Sequence, residues 1–294
     1  MQRLSIIGES LLVLSAMNIP TKRMDEFQRF IFSWWKTNRR DLPWRRTNDP
    51  YKILVSEVML QQTQVLRVLP KYREFIERYP TVYDLAKASP GDVLRIWKGM
   101  GYNRRALYLY KTAQEVVRIY HGIFPKDEES LTKLPGLGIY TARAIMVFAY
   151  RQNVAMVDTN IRQIITHFFF RDKPQKPAVI QAAADQLVPV GKSWEWHQAL
   201  MDFGSSKLKK IHPPMRRIGR TAEKKKSIPF KESNRFYRGR IIDILRQDKI
   251  GEDQLITNLI KKYGKPRQFL QSIIGSLIKD GLVVKKGKSL YLPE

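Results

Sequence analysis

The stretch from Glu128 to Ile145, EESLTKLPGLGIYTARAI, constrains this chain more than any other. It reads as a short helix, a Leu-Pro-Gly-Leu-Gly hairpin from Leu134 to Gly138, and a second helix through Ala142, Ala144 and Met146. Pro135 fixes φ at the start of a sharp reversal. Gly136 and Gly138 remove the side chains that would hold a ligand away from the backbone. Two helices closed around exposed backbone N–H groups make a seat for an anion. The competing reading is an ordinary turn containing two glycines, and the charge of the chain decides against it. Lys and Arg number 53 against 27 Asp and Glu, a formal net charge of +26. Such an excess points to a polyanion or an anionic membrane surface as partner, and makes phosphate the expected anion at the hairpin.

The 294 residues, 43% of them hydrophobic, suffice for one large or two modest domains with a buried core. No cysteine is present, which excludes disulfides, thiolate zinc sites and a cysteine-ligated cluster. The apolar opening IIGESLLVLSAM is interrupted by Glu9 and too short to span a bilayer, and it lacks a signal-peptide pattern. It reads as a leading amphipathic helix over 1–22, in an intracellular protein. Helical spacing then recurs over 24–38, 85–94, 104–120, 175–188 and 194–203, and from Asp158 onward. A long helix is expected to begin at Tyr51 and continue towards Tyr79, broken or kinked at Pro70. Strand pattern is nearly absent through 23–204, so this core is expected to be all-α, of about ten helices.

Composition changes at Gly204. From there to Arg240 the chain has thirteen Lys or Arg residues and two acids, a basic linker expected over 205–233. Residues 234–294 read as three helices followed by a hairpin, GLVVKKGKSLYL, which is a winged-helix-like (α+β) arrangement. Such a module binds DNA through its third helix and hairpin, or serves as a protein-binding module.

Two carboxyls stand out. Glu57, in SEVMLQQTQV, lies in an apolar helical stretch, stacked near Gln61 and Gln64. Burial there would raise its pKa and suit it to general acid catalysis, whereas an outward-facing glutamate is the alternative. Asp158 opens a helix as Asp-Thr-Asn-Ile-Arg, the position of an N-cap. Backbone donors at such a cap are expected to keep the carboxylate ionised. Carboxyls in different environments can divide proton donation from cation stabilisation. The four histidines, at 121, 167, 197 and 212, are too scattered for a zinc site, and no Walker loop is present.

Taken in order, LPWRRTNDPYKILVSEVMLQQTQV, GMGYNRRA, LPGLGIYTARAI, VDTNIRQI and ALMDFG resemble the helix-hairpin-helix (HhH-GPD) DNA glycosylase superfamily, from about Phe27 to Gly204. Within it they are most similar to the adenine glycosylase branch. The resemblance implies a two-lobed all-α core, with DNA across the lobe boundary and the target nucleotide flipped into the cleft. It makes Glu57 the acid that protonates N7 of adenine and Asp158 the group that stabilises the sugar cation and assists water. Tyr140 stands where bifunctional relatives keep a lysine nucleophile, which implies hydrolysis without a Schiff base. Gln61 and Gln62 are implied to fill the space of the flipped base, and Trp44 and Arg45 to edge the base pocket. Leu134, Gly136 and Gly138 of the hairpin, Tyr102 and Arg104 of the WKGMGYN turn region, and Lys207, Lys209 and Lys210 of the connector are expected on DNA. The hairpin carbonyls are implied to hold a monovalent cation.

The sequence departs from the pattern twice. The four cysteines that ligate a [4Fe–4S] cluster after ALMDxG are replaced by SSKLKKIHPP, so the cluster is expected to be absent. The C-terminal segment is too short for the Nudix-like domain that reads 8-oxoguanine. The expected function is nonetheless a monofunctional glycosylase of base excision repair that removes adenine mispaired with 8-oxoguanine or guanine. MVDTN resembles the mismatch branch, so removal of thymine or uracil opposite guanine is the alternative. A non-catalytic DNA-binding protein is a third reading. The expected partner is double-stranded DNA with a mispaired or damaged base, bound by a monomer without membrane association, in the cytoplasm at the nucleoid.

Overall fold

The computed structural model of the chain describes residues 18–208 and 229–294. Residues 1–17 of the expected leading helix and 209–228 of the expected linker lie outside them. The described residues gather into two compact units. The first holds those of Met1–Ile53, Lys126–Thr132 and Leu137–Thr221; the second holds those of Leu54–Pro125, Lys133–Gly136 and Ala222–Glu294. The class is the expected one, a mostly α-helical core with a small sheet in a winged-helix-like C-terminal region.

In the first unit α1 (Thr21–Asn38) buries Phe27, Ile31 and Trp35 at four-residue spacing, the stripe that an amphipathic helix turns inward. Three-residue turn Pro43–Arg45 follows, and α2 (Pro50–Leu60) begins in this unit and continues into the second. Because the next four helices belong to the second unit, the first resumes with most of α7 (Glu128–Lys133), then α8 (Ile139–Phe148), α9 (Thr159–Phe170), α10 (Pro177–Leu187) and α11 (Ser193–Phe203). The stripe of α1 meets α9 and α11 through aromatic edges, Phe27 lying 5.0 Å from Phe168 and 5.6 Å from Trp196 between ring centroids.

The second unit holds α3 (Val65–Arg78), α4 (Val82–Lys87), α5 (Pro90–Ile96) and α6 (Arg104–Tyr120). Two expectations need correction here. The helix from Tyr51 breaks at Gln61–Gln64 and not at Pro70, which lies inside α3. Pro70 deprives only the carbonyl of Leu66 of a helical partner, and Leu66 is 82% exposed. Gln64 becomes the residue before α3, so it does not stack with Glu57 on one helix. The single helix expected over 85–94 is two, because Ser89 caps the start of α5 through Asp92 N–H and Pro90 takes its first turn.

Three C-terminal helices, α12 (Asn234–Leu245), α13 (Glu252–Tyr263) and α14 (Arg267–Lys279), complete this unit with an antiparallel sheet. Its order is β1 (Ile250–Gly251), β3 (Ser289–Tyr291), β2 (Val284–Lys286), with Leu290 opposite both Ile250 and Lys285. β1 is too short to leave a periodic trace in the sequence. The module is seated on α5 and α6: Gly91 N–H donates to Pro293 O at 2.6 Å, and Arg246 donates to Leu94 O at 2.9 Å and to Asn103 Oδ1 at 3.0 Å.

Candidate active site

Glu57 occupies the third turn of α2 and is buried, 7% exposed, beside the equally buried Leu54, Val55, Ser56, Val58 and Met59. The helix is buried nearly all round, which settles the orientation that periodicity left open. What ends it is Arg105, on the buried face of α6. One guanidinium nitrogen donates to Val58 O, Met59 O and Gln61 O at 2.7, 3.1 and 2.6 Å. The other donates to Thr63 Oγ1, Met100 O and Gly101 O at 3.2, 3.0 and 3.2 Å. A cation here meets the carbonyls that every helix leaves unpaired at its C-terminus. Burial pushes the Arg105 pKa down to about 10, so the group keeps its charge at neutral pH. The chain can then turn through a left-handed Gln62, φ 55°, with the Gln62 side chain exposed. Glu57, Gln61, Gln62 and the Met100–Gly101 turn thus share one anchor.

Asp158 is held in the first unit. It caps α9, accepting from Ile161 N–H at 2.7 Å and from Asn160 Nδ2 at 2.9 Å. The expectation that these donors dominate is corrected: burial pushes the Asp158 pKa up and outweighs the hydrogen bonds that oppose it. A desolvated carboxylate acts strongly on a nearby positive charge. The extended segment before it is pinned by side chains. Ala155 O accepts from Arg143 Nη1 at 3.0 Å and Gln181 Nε2 at 3.1 Å, and Met156 N–H donates to His197 Nε2 at 3.1 Å. Gly204 closes this cradle from the other side. A Cβ at that position would lie 2.7 Å from Asn160 Cβ, so only glycine lets α11's end approach the Asp158 partner so closely.

Trp44 and Arg45 lie buried in the Pro43–Arg45 turn. Arg45 faces Asp202 with both terminal nitrogens, at 2.8 Å each, and Trp35 Nε1 donates to the same carboxylate at 2.9 Å. Burial works to raise the Asp202 pKa, but Arg45, Arg40 and Trp35 outweigh it and hold the group below the ordinary carboxylate value. Arg45 therefore fastens the turn bearing Trp44 to α11. Beyond α11 one π-helical turn, Gly204–Leu208, follows, with the Ser205 and Ser206 hydroxyls both 3.0 Å from Asp202 O. With no cysteine in the sequence, these residues do not fit a cysteine-ligated cluster. Among the described residues no group of three or more His, Asp or Glu side chains is placed to hold a metal ion. The backbone of Lys207 belongs to the turn, whereas Lys209 and Lys210 lie outside the described residues.

The hairpin has its expected form, with α7 and α8 flanking Leu134–Gly138. Leu134 is buried, and Thr112 Oγ1 on α6 donates to Pro135 O at 2.7 Å. Gly136 has φ 78°, and a Cβ there would stand 2.6 Å from Tyr108 Cβ. Gly138 is exposed and precedes α8, where no side chain caps the first backbone N–H groups. Uncapped N–H groups of this kind are what a helix start can offer an anion. Tyr140, half-buried, follows in the first turn of α8. In the second unit, Tyr102 Oη accepts from Arg235 at 2.6 Å, and Arg104 lies 3.7 Å from Asp280 and 2.8 Å from Tyr108 Oη.

Arg105, His197, Asp202 and Arg143 were not singled out by the sequence. Arg105 left a trace: with Leu109, Thr112 and Val116 it falls on the inward stripe of α6, where a charge needs partners. The others have no local signal.

Residues 55–189 match the model of the HhH-GPD superfamily base excision DNA repair proteins. The chain is 42% identical over 179 residues to an adenine DNA glycosylase of Mycolicibacterium smegmatis, covering 60% of this chain and 61% of that protein. It is 34% identical over 188 residues to a thymine/uracil-DNA glycosylase of Methanothermobacter thermautotrophicus, covering 63% and 85%. A solved thermostable thymine-DNA glycosylase superposes with a TM-score of 0.60 at 33% identity, covering 63% of this chain and 87% of that one. The chain thus spans about three fifths of the length of the mycobacterial relative.

Proposed function

As the chain belongs to the HhH-GPD superfamily of base excision DNA repair proteins, we propose that it is a monofunctional DNA glycosylase that hydrolyses the N-glycosidic bond of adenine mispaired with 8-oxoguanine or guanine. The observation that carries the reading is the 42% identity to an adenine DNA glycosylase, in a chain whose family match spans Glu57, the hairpin and Asp158. Glu57, buried among apolar side chains, would give its proton to the leaving base. The bonding pair of the C1′–N9 bond departs with the base, and the sugar is left cationic. Asp158 would stabilise that cation and take up the proton of the water that adds to C1′. Tyr140 offers a phenol, which forms no imine, so the product is an intact abasic site. The exposed start of α8 would hold a phosphate. Pro135 O accepts from Thr112 Oγ1, and its second lone pair could serve a monovalent cation.

A second reading, removal of thymine or uracil opposite guanine, is favoured by the greater share of the thymine/uracil-DNA glycosylase that the chain covers. Single-turnover excision on duplexes bearing A opposite 8-oxoguanine, A opposite G, T opposite G and U opposite G, followed by alkali, separates the two. The expected result is cleavage of the adenine strands alone, lost at least about a hundredfold in Asp158→Asn with duplex binding kept. Excision confined to T or U would replace the first reading by the second, and full activity of Asp158→Asn would remove the assigned site. Residence at the nucleoid in the cytoplasm belongs to the same proposal, motivated by the net charge of +26. Failure of a tagged chain to coincide with a DNA stain would count against it.

A further inference from the structure

The module of α12 to α14 and its sheet docks on α5 and α6 by one side and keeps another side open. Docking uses Arg246, which follows α12, Pro293, and Asp280 at the end of α14, 3.7 Å from Arg104. The apolar stripe of α14, Leu270, Ile273, Ile274 and Leu277, is buried within the module. Its opposite stripe, Gln268, Gln271, Ser272, Gly275 and Lys279, is exposed. The β2–β3 hairpin adds exposed Lys285, Lys286 and Lys288. The geometry points to this face, the outer stripe of α14 with the hairpin lysines, as a second surface for double-stranded DNA, separate from the hairpin between α7 and α8.

Three observations carry it. The face has no acidic side chain, and the acids nearest it in the module are already matched: Glu252 by Lys285, Asp253 by Arg267 and Asp280 by Arg238. Lys279, Lys286 and Lys288 therefore stand as a net positive surplus, which fits a phosphate backbone. None of the exposed large hydrophobic residues falls between 264 and 291. That argues against single strands, which stack on aromatic platforms, and against a protein partner, which would find no apolar or aromatic anchor. Gly275 has nothing within 4 Å of the place a Cβ would take. Packing does not call for glycine in mid-helix, where it weakens the helix, but a rigid surface approaching closely would. An exposed helix with amide side chains beside a basic hairpin suits a major groove and its flanking phosphates.

This inference rests on the proposed function only in the choice of ligand, and its test uses undamaged DNA. Affinity for a long undamaged duplex would be measured against salt for the full chain and for Lys279→Gln/Lys286→Gln/Lys288→Gln. The slope of log affinity against log salt should become shallower by about 2.7, and affinity should fall at least about tenfold at low salt. Gly275→Glu, which meets no neighbour and improves helix propensity, should melt no lower yet bind the duplex more weakly. Single-turnover excision from a short duplex centred on the lesion should be unchanged in both. An unchanged slope and affinity would overturn the inference. So would a loss confined to RNA or to an acidic protein with duplex affinity intact. Absence of excision in every variant, with the slope change present, would count against the proposed activity and leave this surface standing.

Discussion

The His197 ring accepts the Met156 N–H at 3.1 Å through Nε2 and donates to Ser193 O at 2.6 Å through Nδ1, a pairing that only the neutral ring can make. Burial pushes its pKa down from 6.5 to about 4. The unfolded chain takes up this proton near pH 6.5, and the folded protein resists until about pH 4. The stability involved is therefore complete above pH 6.5 and lost as pH falls towards 4, about 3 kcal/mol in all at about 1.4 kcal/mol per pH unit. Denaturant titrations across this window should show that loss in the native chain. His197→Gln, whose amide can accept from Met156 and donate to Ser193 without titrating, should flatten it. An equally steep fall in the variant would assign the pH dependence elsewhere. At this scale the sequence disclosed the residues whose meaning is local: Asp158 by its place before a helix, Glu57 by its apolar surroundings. It did not disclose His197 or Asp202, because a buried polar side chain is explained by its partner. Asp202 finds Arg45 across 157 positions of sequence.

Helices α6, α8 and α9 begin and end close to where their periodicity placed them, since inward stripes and caps are written within each helix. The end of α2 is different. LQQTQ contains no glycine or proline, and the break there is imposed by a side chain from α6. Arg105 joins two turns through six acceptors, a geometry that the single ammonium of lysine cannot span. Arg105→Lys should cost about 2–4 kcal/mol in denaturant unfolding, through buried carbonyls left without donors. Amide exchange at Gln61–Thr63 should quicken in the variant even under conditions where the protein stays folded. Protection identical to that of the native chain would show that the left-handed turn at Gln62 is held by something other than this guanidinium.

For the molecule as a whole, charge governs encounter more than chemistry. With a net charge of +26, second-order excision at limiting enzyme should fall about a thousandfold between about 50 and 200 mM salt, if six or more phosphates are neutralised. The single-turnover rate at saturating enzyme should change far less, because the proposed acid, Glu57, is buried. Parallel loss of both rates would mean that salt acts on the bound complex. Basic character and the all-α class were legible from composition and periodicity, and so was a C-terminal run of helices ending in a hairpin. The seat of that module on α5 and α6 was not, because it depends on Arg246 reaching Leu94 O and on Pro293 O meeting Gly91 N–H. Those bonds bear on how the chain reaches its native state. The second unit draws Leu54–Pro125 together with residues 229–294, and nearly all of the described residues between them belong to the first unit. Closing contacts over such sequence distances is slow, because chain entropy must be surrendered before the contacts reward it. During synthesis α5 and α6 emerge well before their partners, with the Leu94 carbonyl and the Gly91 amide still unmatched. Completion of this unit is thus a late event in the life of each new chain, and the interval before it is when the nascent protein most needs protection from aggregation.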